Sequence, residues 1–187
     1  APHFTGHVAW RGVIPAGRVA HLALDPVTTS WMAPHDHAVT YFVSGGRVVD
    51  FVGITESDEW TTESWTEAGD RTALQQAFAD WHPTVRGLVD EIDLPFRWAL
   101  YTRAPLPRWA DGRAVLLGDA CHPMLPYMAQ GAGMAIEDAQ VLANCLTLME
   151  APQSALMRYQ NLRMARATKV QRTAVSNGRL FHLSNRA

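Results

Sequence analysis

Asp119 stands just past the apolar run at residues 114–117, and Gly131, Ala132, Gly133 and Met134 open a periodic apolar segment soon after it. Apolar run, carboxylate, glycine-bearing turn and helix start together describe a ligand-binding corner of an α/β sheet. Main-chain N–H groups at residues 131–134 and the positive end of the helix dipole favour an electron-rich or anionic partner. The glycines let a flat ligand approach the main chain closely, and Asp119 is suited to accept hydrogen bonds from a sugar hydroxyl. The same pattern also fits a plain tight turn with Asp119 as a capping residue, and spacing alone leaves both readings open. No pyrophosphate site accompanies the corner. Gly131-Ala132-Gly133 lacks the third glycine of a dinucleotide fingerprint, and no strand immediately precedes it.

A second set of reactive side chains lies on a strand. Residues 37–43, HAVTYFV, alternate so that His37, Val39, Tyr41 and Val43 share one face while Ala38, Thr40 and Phe42 share the other. His37 and Tyr41 are thus placed to line one pocket, and histidine is the side chain best suited to accept a proton near neutral pH. The residue types alone fit an ordinary half-exposed sheet face better than a pocket. His122 is a third candidate for proton transfer, or else a group that satisfies loop backbone. His35 with His37 lacks further ligands for a metal site, so none is expected.

The string GDACHPMLPYMAQGAGMAIEDAQVL resembles the second FAD-binding motif of the single-component flavoprotein aromatic hydroxylases, G-D-A-x-H-x-x-x-P, then Q-G-A/G, then E-D-A. Gly118, Asp119, Ala120, His122, Pro126, Gln130, Gly131, Glu137, Asp138 and Ala139 fit that pattern. The branch it is most similar to is salicylate-hydroxylase-like and 6-hydroxynicotinate-monooxygenase-like. The resemblance implies that Asp119 holds the FAD ribityl or a nearby polyol, that Gly131, Ala132, Gly133 and Met134 lie beside the flavin ring, and that Pro126 also belongs to the cofactor site. It also implies that His37 and Tyr41, as an H-x-x-x-Y pair, face a small aromatic substrate. The activity implied is that of an FAD-dependent monooxygenase. NADH or NADPH reduces FAD, O2 adds, and the flavin hydroperoxide delivers OH to a phenolic or N-heteroaromatic, carboxylated ring. The fold implied is α+β or α/β. A substrate-binding β-sheet domain with flanking helices (1–104) precedes the C-terminal part of a Rossmann-like FAD-binding domain with a long last helix (105–187). The family's N-terminal βαβ unit does not occur here, so a missing N-terminal FAD-binding half is the expected partner, and the fragment alone is not expected to be competent. The alternative is a non-catalytic domain that binds a ligand, or a partner through its basic C-terminal helix.

The elements that must carry these residues follow from pattern. Residues 6–12 and 19–24 read as strands around a turn at 14–17, and Ser44-Gly45-Gly46-Arg47 makes a hairpin from 37–43 into 48–54, giving an antiparallel or mixed sheet. Helices are expected at 72–81, with Leu74, Ala77, Phe78 and Trp81 inward, and from Pro83 to before Pro95, then a strand at 96–102. A buried strand is expected at 114–117. In the helix after Gly131, Ile136, Ala139, Leu142/Ala143, Leu146 and Met149 form the apolar stripe. The last helix, about 153–177, has Leu156, Tyr159, Leu162, Ala165/Arg166 and Val170 as its inner side.

Composition narrows the class. With 48% hydrophobic and 18% charged residues and a net charge of −2, the chain reads as an ordinary globular protein with no bias toward a polyanion or a membrane. Cys121 and Cys145 follow no disulfide or metal spacing, which favours a reduced, cytoplasmic setting. No run of eighteen apolar residues is present. Residues 55–70 hold six acids and no base, a solvated connection. Beyond Glu150 there are seven bases and no acid, yet aromatic interleaving is sparse, so a packing helix or a homodimer contact is expected there rather than nucleic-acid binding.

Overall fold

The computed structural model describes residues 1–58 and 68–184, so most of the acidic stretch at 55–70 lies outside the described residues. The chain divides into two compact units, one of Phe4–Leu100 with Phe181–Ala187 and one of Ala1–His3 with Tyr101–Leu180.

The first unit is a five-stranded sheet in the order β2-β3-β4-β1-β5. Its strands are β1 (His3–Pro15), β2 (Thr29–Ala33), β3 (Asp36–Val43), β4 (Val48–Glu56) and β5 (Phe96–Thr102). The β1–β4, β2–β3 and β3–β4 ladders are antiparallel. Ser44, Gly45 and Gly46 all take positive φ at the β3–β4 turn, a conformation two glycines make inexpensive. Helices α1 (Arg71–Ala77) and α2 (Pro83–Asp90) cover one face. Asp70 caps α1 by accepting from the Ala73 N–H at 2.8 Å, and Pro83 sits in the first turn of α2. The core on that side joins Trp10, Ile14, Ala38, Val49 and Phe51 to Leu74, Phe78, Val85, Leu88 and Ile92. Gly53 is required there, because a Cβ would sit 2.3 Å from Phe78 Cζ. Two expectations need correction. Residues 19–24 are not a strand, since Ala16–Leu22 is a 3-10 turn with Val19 buried. Val19 and Leu22, three apart, turn one side toward the core, and AGRVAHL has no alternating β-branched run to favour extension. Strand β2, with Trp31 facing the core, is an element that the pattern did not announce.

The second unit holds the hairpin β6 (Ala110–Asp111) and β7 (Ala114–Val115), 3-10 turns at Gly118–Ala120 and Pro126–Met128, and helices α3 (Gly131–Leu148) and α4 (Pro152–Phe181). The run at 114–117 is therefore not a buried strand. Gly112, at φ +57°, turns it back on residues 110–111, no other described strand pairs with it, and Leu116 stays 40% exposed. The stripe expected on α3 is also rotated. Met134, Asp138 and Cys145 are buried, whereas Ile136 and Leu146 are 71% and 47% exposed. On α4 the buried row is Ala155, Leu156, Tyr159, Gln160, Arg163, Ala167, Gln171, Ala174 and Gly178, and Leu162 faces out. The polar members of that row explain it. The Gln160 side-chain oxygen accepts from the Trp109 and Ala110 N–H groups, and the Gln171 amide donates to the Arg103 and Pro123 carbonyls. Helix α4 thus satisfies the backbone of an otherwise irregular segment. No described helix is long and apolar enough to cross a membrane.

Candidate active site

In the second unit Asp119 sits in the 3-10 turn after β7, exposed, and no described cation pairs with it. Gly118 enters that turn at φ +59°, with room for a Cβ only 3.1 Å from Ala135 Cβ. Pro126 is exposed and begins the next turn. Helix α3 then starts at Gly131 with Gln130 as an uncapped N-cap and no acid in its first turn. The first N–H groups of the helix are therefore unmatched by any described side chain, at the positive end of the helix dipole. Ala132 and Gly133 are exposed and Gly131 partly so. A Cβ on Gly131 or Gly133 would meet nothing closer than 3.8 Å, so the surface above the helix start is clear. Met134 differs. Its N–H is spent on the Gln130 carbonyl and its side chain is fully buried against Arg163.

His122 is also held inside this unit, 1% exposed, with Nε2 at 2.5 Å from Asp138 Oδ2. The same carboxylate accepts the Gly118 N–H at 3.1 Å and Arg163 Nε at 2.7 Å, while Arg163 and Arg166 both pair with Glu137. Burial by itself would raise the Asp138 carboxyl. The bonds from Arg163, His122 and Gly118 outweigh it and hold the group below the usual carboxylate range. Cys121, His122 and Asp138 lie close enough together for a metal ion, but both Asp138 oxygens are engaged by N–H donors, one from a guanidinium. This network ties the turn carrying Asp119 to α3 and α4.

In the first unit, the sheet face opposite α1 and α2 carries His37, Val39 and Tyr41 from β3, joined by register to Ile54, Val52 and Asp50 of β4. Tyr41 donates its hydroxyl proton to Asp50 Oδ2 at 3.2 Å, and Arg11 grips the same carboxylate at 2.5 and 3.1 Å. Burial and then the Asp50 charge raise the Tyr41 phenol above its ordinary value. With its proton directed to Asp50, the Tyr41 oxygen is left to accept a hydrogen bond. His37 is 3% exposed, and its Nδ1 lies 2.8 Å from His182 Nε2. Burial first, then the neighbouring His7, lower its pKa to about 4, so it is a neutral imidazole at physiological pH.

The chain matches the family described as FAD binding domain over residues 8–174. It belongs to that family. It is 38% identical to a 3-amino-4-hydroxybenzoate 2-monooxygenase of Streptomyces platensis, over 97% of this chain and 46% of that protein. It is 40% identical to a 6-hydroxynicotinate 3-monooxygenase of Pseudomonas fluorescens, over 94% of this chain and 47% of that protein. A solved salicylate hydroxylase in a substrate complex superimposes with a TM-score of 0.84 at 31% identity, covering 97% of this chain and 48% of that one. The chain spans about half the length of the curated relatives it matches.

Within an FAD binding domain family member, the open corner fits the cofactor's chemistry. An unpaired carboxylate suits hydroxyl donors of a polyol, and uncapped main-chain N–H groups suit the electron-rich edge of a flavin. Arg163, Asp50, Arg11 and His182 do not stand out in the sequence as members of either site, and Asp138 is visible there only as part of the E-D-A string, without its role beneath the turn. Asp50 was reachable, because a turn centred on Gly45 and Gly46 pairs residue 50 with 41. His182 had no local signal at all.

Proposed function

We propose that this chain is the C-terminal portion of an FAD-dependent aromatic hydroxylase that uses NADH or NADPH and O2 on a small phenolic or N-heteroaromatic ring, with a carboxylated ring as the leading class. FAD, when bound, supplies the activated oxygen. Asp119 would hold its polyol and the main-chain N–H groups of Gly131, Ala132 and Gly133 would receive the flavin, with Pro126 shaping the preceding turn. Met134 contributes by packing under that helix start. His37 takes the proton from the ring's hydroxyl, which raises electron density at the carbon to be attacked. Tyr41, polarised by Asp50, accepts a hydrogen bond from a hydroxyl or ring N–H and so orients the ring. His122 acts as a positioning group, because its hydrogen bond to Asp138 keeps the Asp119 turn in place. The exposed apolar side chains of α3, Ile136 and Leu146, are assigned to contact with the N-terminal FAD-binding half. Free, buried Cys121 and Cys145 suit a reducing compartment, and we place the protein in the cytoplasm.

The observation that carries this reading is the corner itself, a solvent-facing Asp119 carboxylate beside a helix start whose main-chain donors have no cap. The test is the full-length protein. It should be yellow, with oxidised-flavin absorbance, and should oxidise NADH or NADPH faster when given hydroxylated aromatic acids, forming a product that carries one new ring hydroxyl, with CO2 released where the carbon attacked bears the carboxylate. His37→Gln should lower kcat/KM about a hundredfold, the usual worth of a positioned base. A colourless protein that takes up no added FAD would end the proposal.

A further inference from the structure

Three histidines gather on the sheet face that carries His37. His7 of β1 packs against His182 with ring centroids 4.1 Å apart and the rings tilted by 51°, and His182, just past the end of α4, lies 4.9 Å from the His37 ring. Phe181 packs on His37 at 5.1 Å. His37 and His182 are 3% and 8% exposed, so the 2.8 Å contact between Nδ1 of one and Nε2 of the other is shielded from water. Two imidazoles at that distance share one proton, and only one of the two nitrogens can carry it in the neutral pair.

We propose that His182 is a positioning residue for His37, its Nε2 accepting the His37 Nδ1–H and thereby holding His37 in the tautomer whose Nε2 is the basic nitrogen. The inference rests on the reading of His37 as the acceptor of the substrate's proton. In that step the ring O–H bond breaks and an N–H bond forms at His37 Nε2. The electron pair of the O–H bond stays on the substrate oxygen, and the positive charge gained by His37 is carried by a hydrogen bond to a neutral acceptor. Such a charge-assisted bond is about twice as strong as a neutral one. It works against two opposing influences, the burial of His37 and the proximity of His7. Burial lowers the pKa of His7 as well, partly offset by Glu56 at the end of β4. Strand β2 presents Met32 opposite His37 and no titratable group. The arrangement matches a metal-bound histidine oriented by an outer partner, with a proton in place of the metal.

The full-length enzyme tests this with three variants and one spectrum. His182→Phe removes the acceptor and should lower kcat/KM at pH 7 about tenfold or more while moving the acid limb of its pH profile to lower pH, because His37 becomes a weaker base. His182→Gln, whose amide oxygen can accept the same N–H, should restore most of the rate and return the limb toward its original place. Should both variants lose activity equally with the limb unmoved, or should His182→Phe behave as the parent enzyme, the inference is overturned. In either case a His37→Gln variant with kcat/KM lowered about a hundredfold leaves the broader reading standing. A His37→Gln variant with undiminished kcat/KM removes that reading and this inference with it. Independently of how the variants fold, 15N spectra of the unsubstituted enzyme should show neutral His37 protonated at Nδ1. A His37 protonated at Nε2 overturns the inference.

Discussion

Replacing Asp138 by Asn isolates the buried network beneath the Asp119 turn. The carboxylate accepts from three donors, Gly118 N–H, His122 Nε2 and Arg163 Nε, at 3.1, 2.5 and 2.7 Å, and it is fully buried. An amide offers one acceptor oxygen and sets an NH2 against whichever donor faces the other position. Either Arg163, itself 5% exposed, or the His122–Gly118 pair then loses its partner. Breaking a buried ion pair from one side costs roughly 3–5 kcal/mol. Glu137 still holds Arg163 at 2.6 Å, which places the expected cost at the lower end, about 3 kcal/mol. With a guanidinium m-value of roughly 2–6 kcal/mol/M, the unfolding midpoint should fall by about 0.5–1.5 M. The assay is equilibrium guanidinium unfolding of the full-length protein at pH 7, followed by tryptophan fluorescence, to which Trp109 contributes from 5.2 Å beyond the His122 ring. Acid titration provides a second arm. The folded carboxyl lies below its unfolded value, so its stabilisation is complete above about pH 4 and is lost as pH falls through the folded value. That part of the acid limb should vanish in Asp138→Asn. A midpoint within error of the parent protein, with an unchanged acid limb, would refute the claim that this carboxylate holds α3 and α4 to the turn.

Asp119→Asn leaves no buried partner unsatisfied, so the melting temperature of the cofactor-free protein should not move. FAD affinity should drop about tenfold, the loss of one charge-assisted hydrogen bond, as read by titration of flavin fluorescence. Gly53→Ala drives a methyl into Phe78 Cζ and should cost roughly 1–3 kcal/mol in denaturant unfolding. A neutral result there would mean that β4 and α1 do not pack as described. The low His37 pKa, about 4 against an unfolded value near 6.5, makes stability full above pH 6.5 and smaller at each step down to pH 4. The whole loss is roughly 3 kcal/mol. His37→Gln should flatten that slope in melting temperature against pH, and parallel curves for the two proteins would count against the burial of a neutral imidazole.

The features legible in advance were those whose cause is local. The β3–β4 hairpin follows from its two glycines and from alternation, strand β5 from an extended run after Pro95, and the start of α2 from Pro83. The surfaces that the helices bury were not legible, because they are decided by partners distant in sequence. Periodicity assigned Ile136 and Leu146 to the inside of α3 on hydrophobicity alone. The rotation of that helix is instead held by Asp138, whose donors come from residues 118, 122 and 163. Burying Ile136 would swing a carboxylate away from all three and strand Arg163, a larger loss than the roughly 1.5–3 kcal/mol that one apolar side chain returns. The same logic governs α4. Gln160 and Gln171 take inner positions ahead of Leu162 because the backbone groups they serve, at residues 103, 109, 110 and 123, lie outside any ladder or at the end of the two-residue β6–β7 pairing. Polar residues inside these helices are therefore the price of an irregular loop, and that loop carries Asp119. The turn closes only part of its backbone itself, through the Cys121 and His122 N–H groups on the Gly118 carbonyl, so the helices behind it supply the rest through Asp138 to the Gly118 N–H and Gln171 to the Pro123 carbonyl.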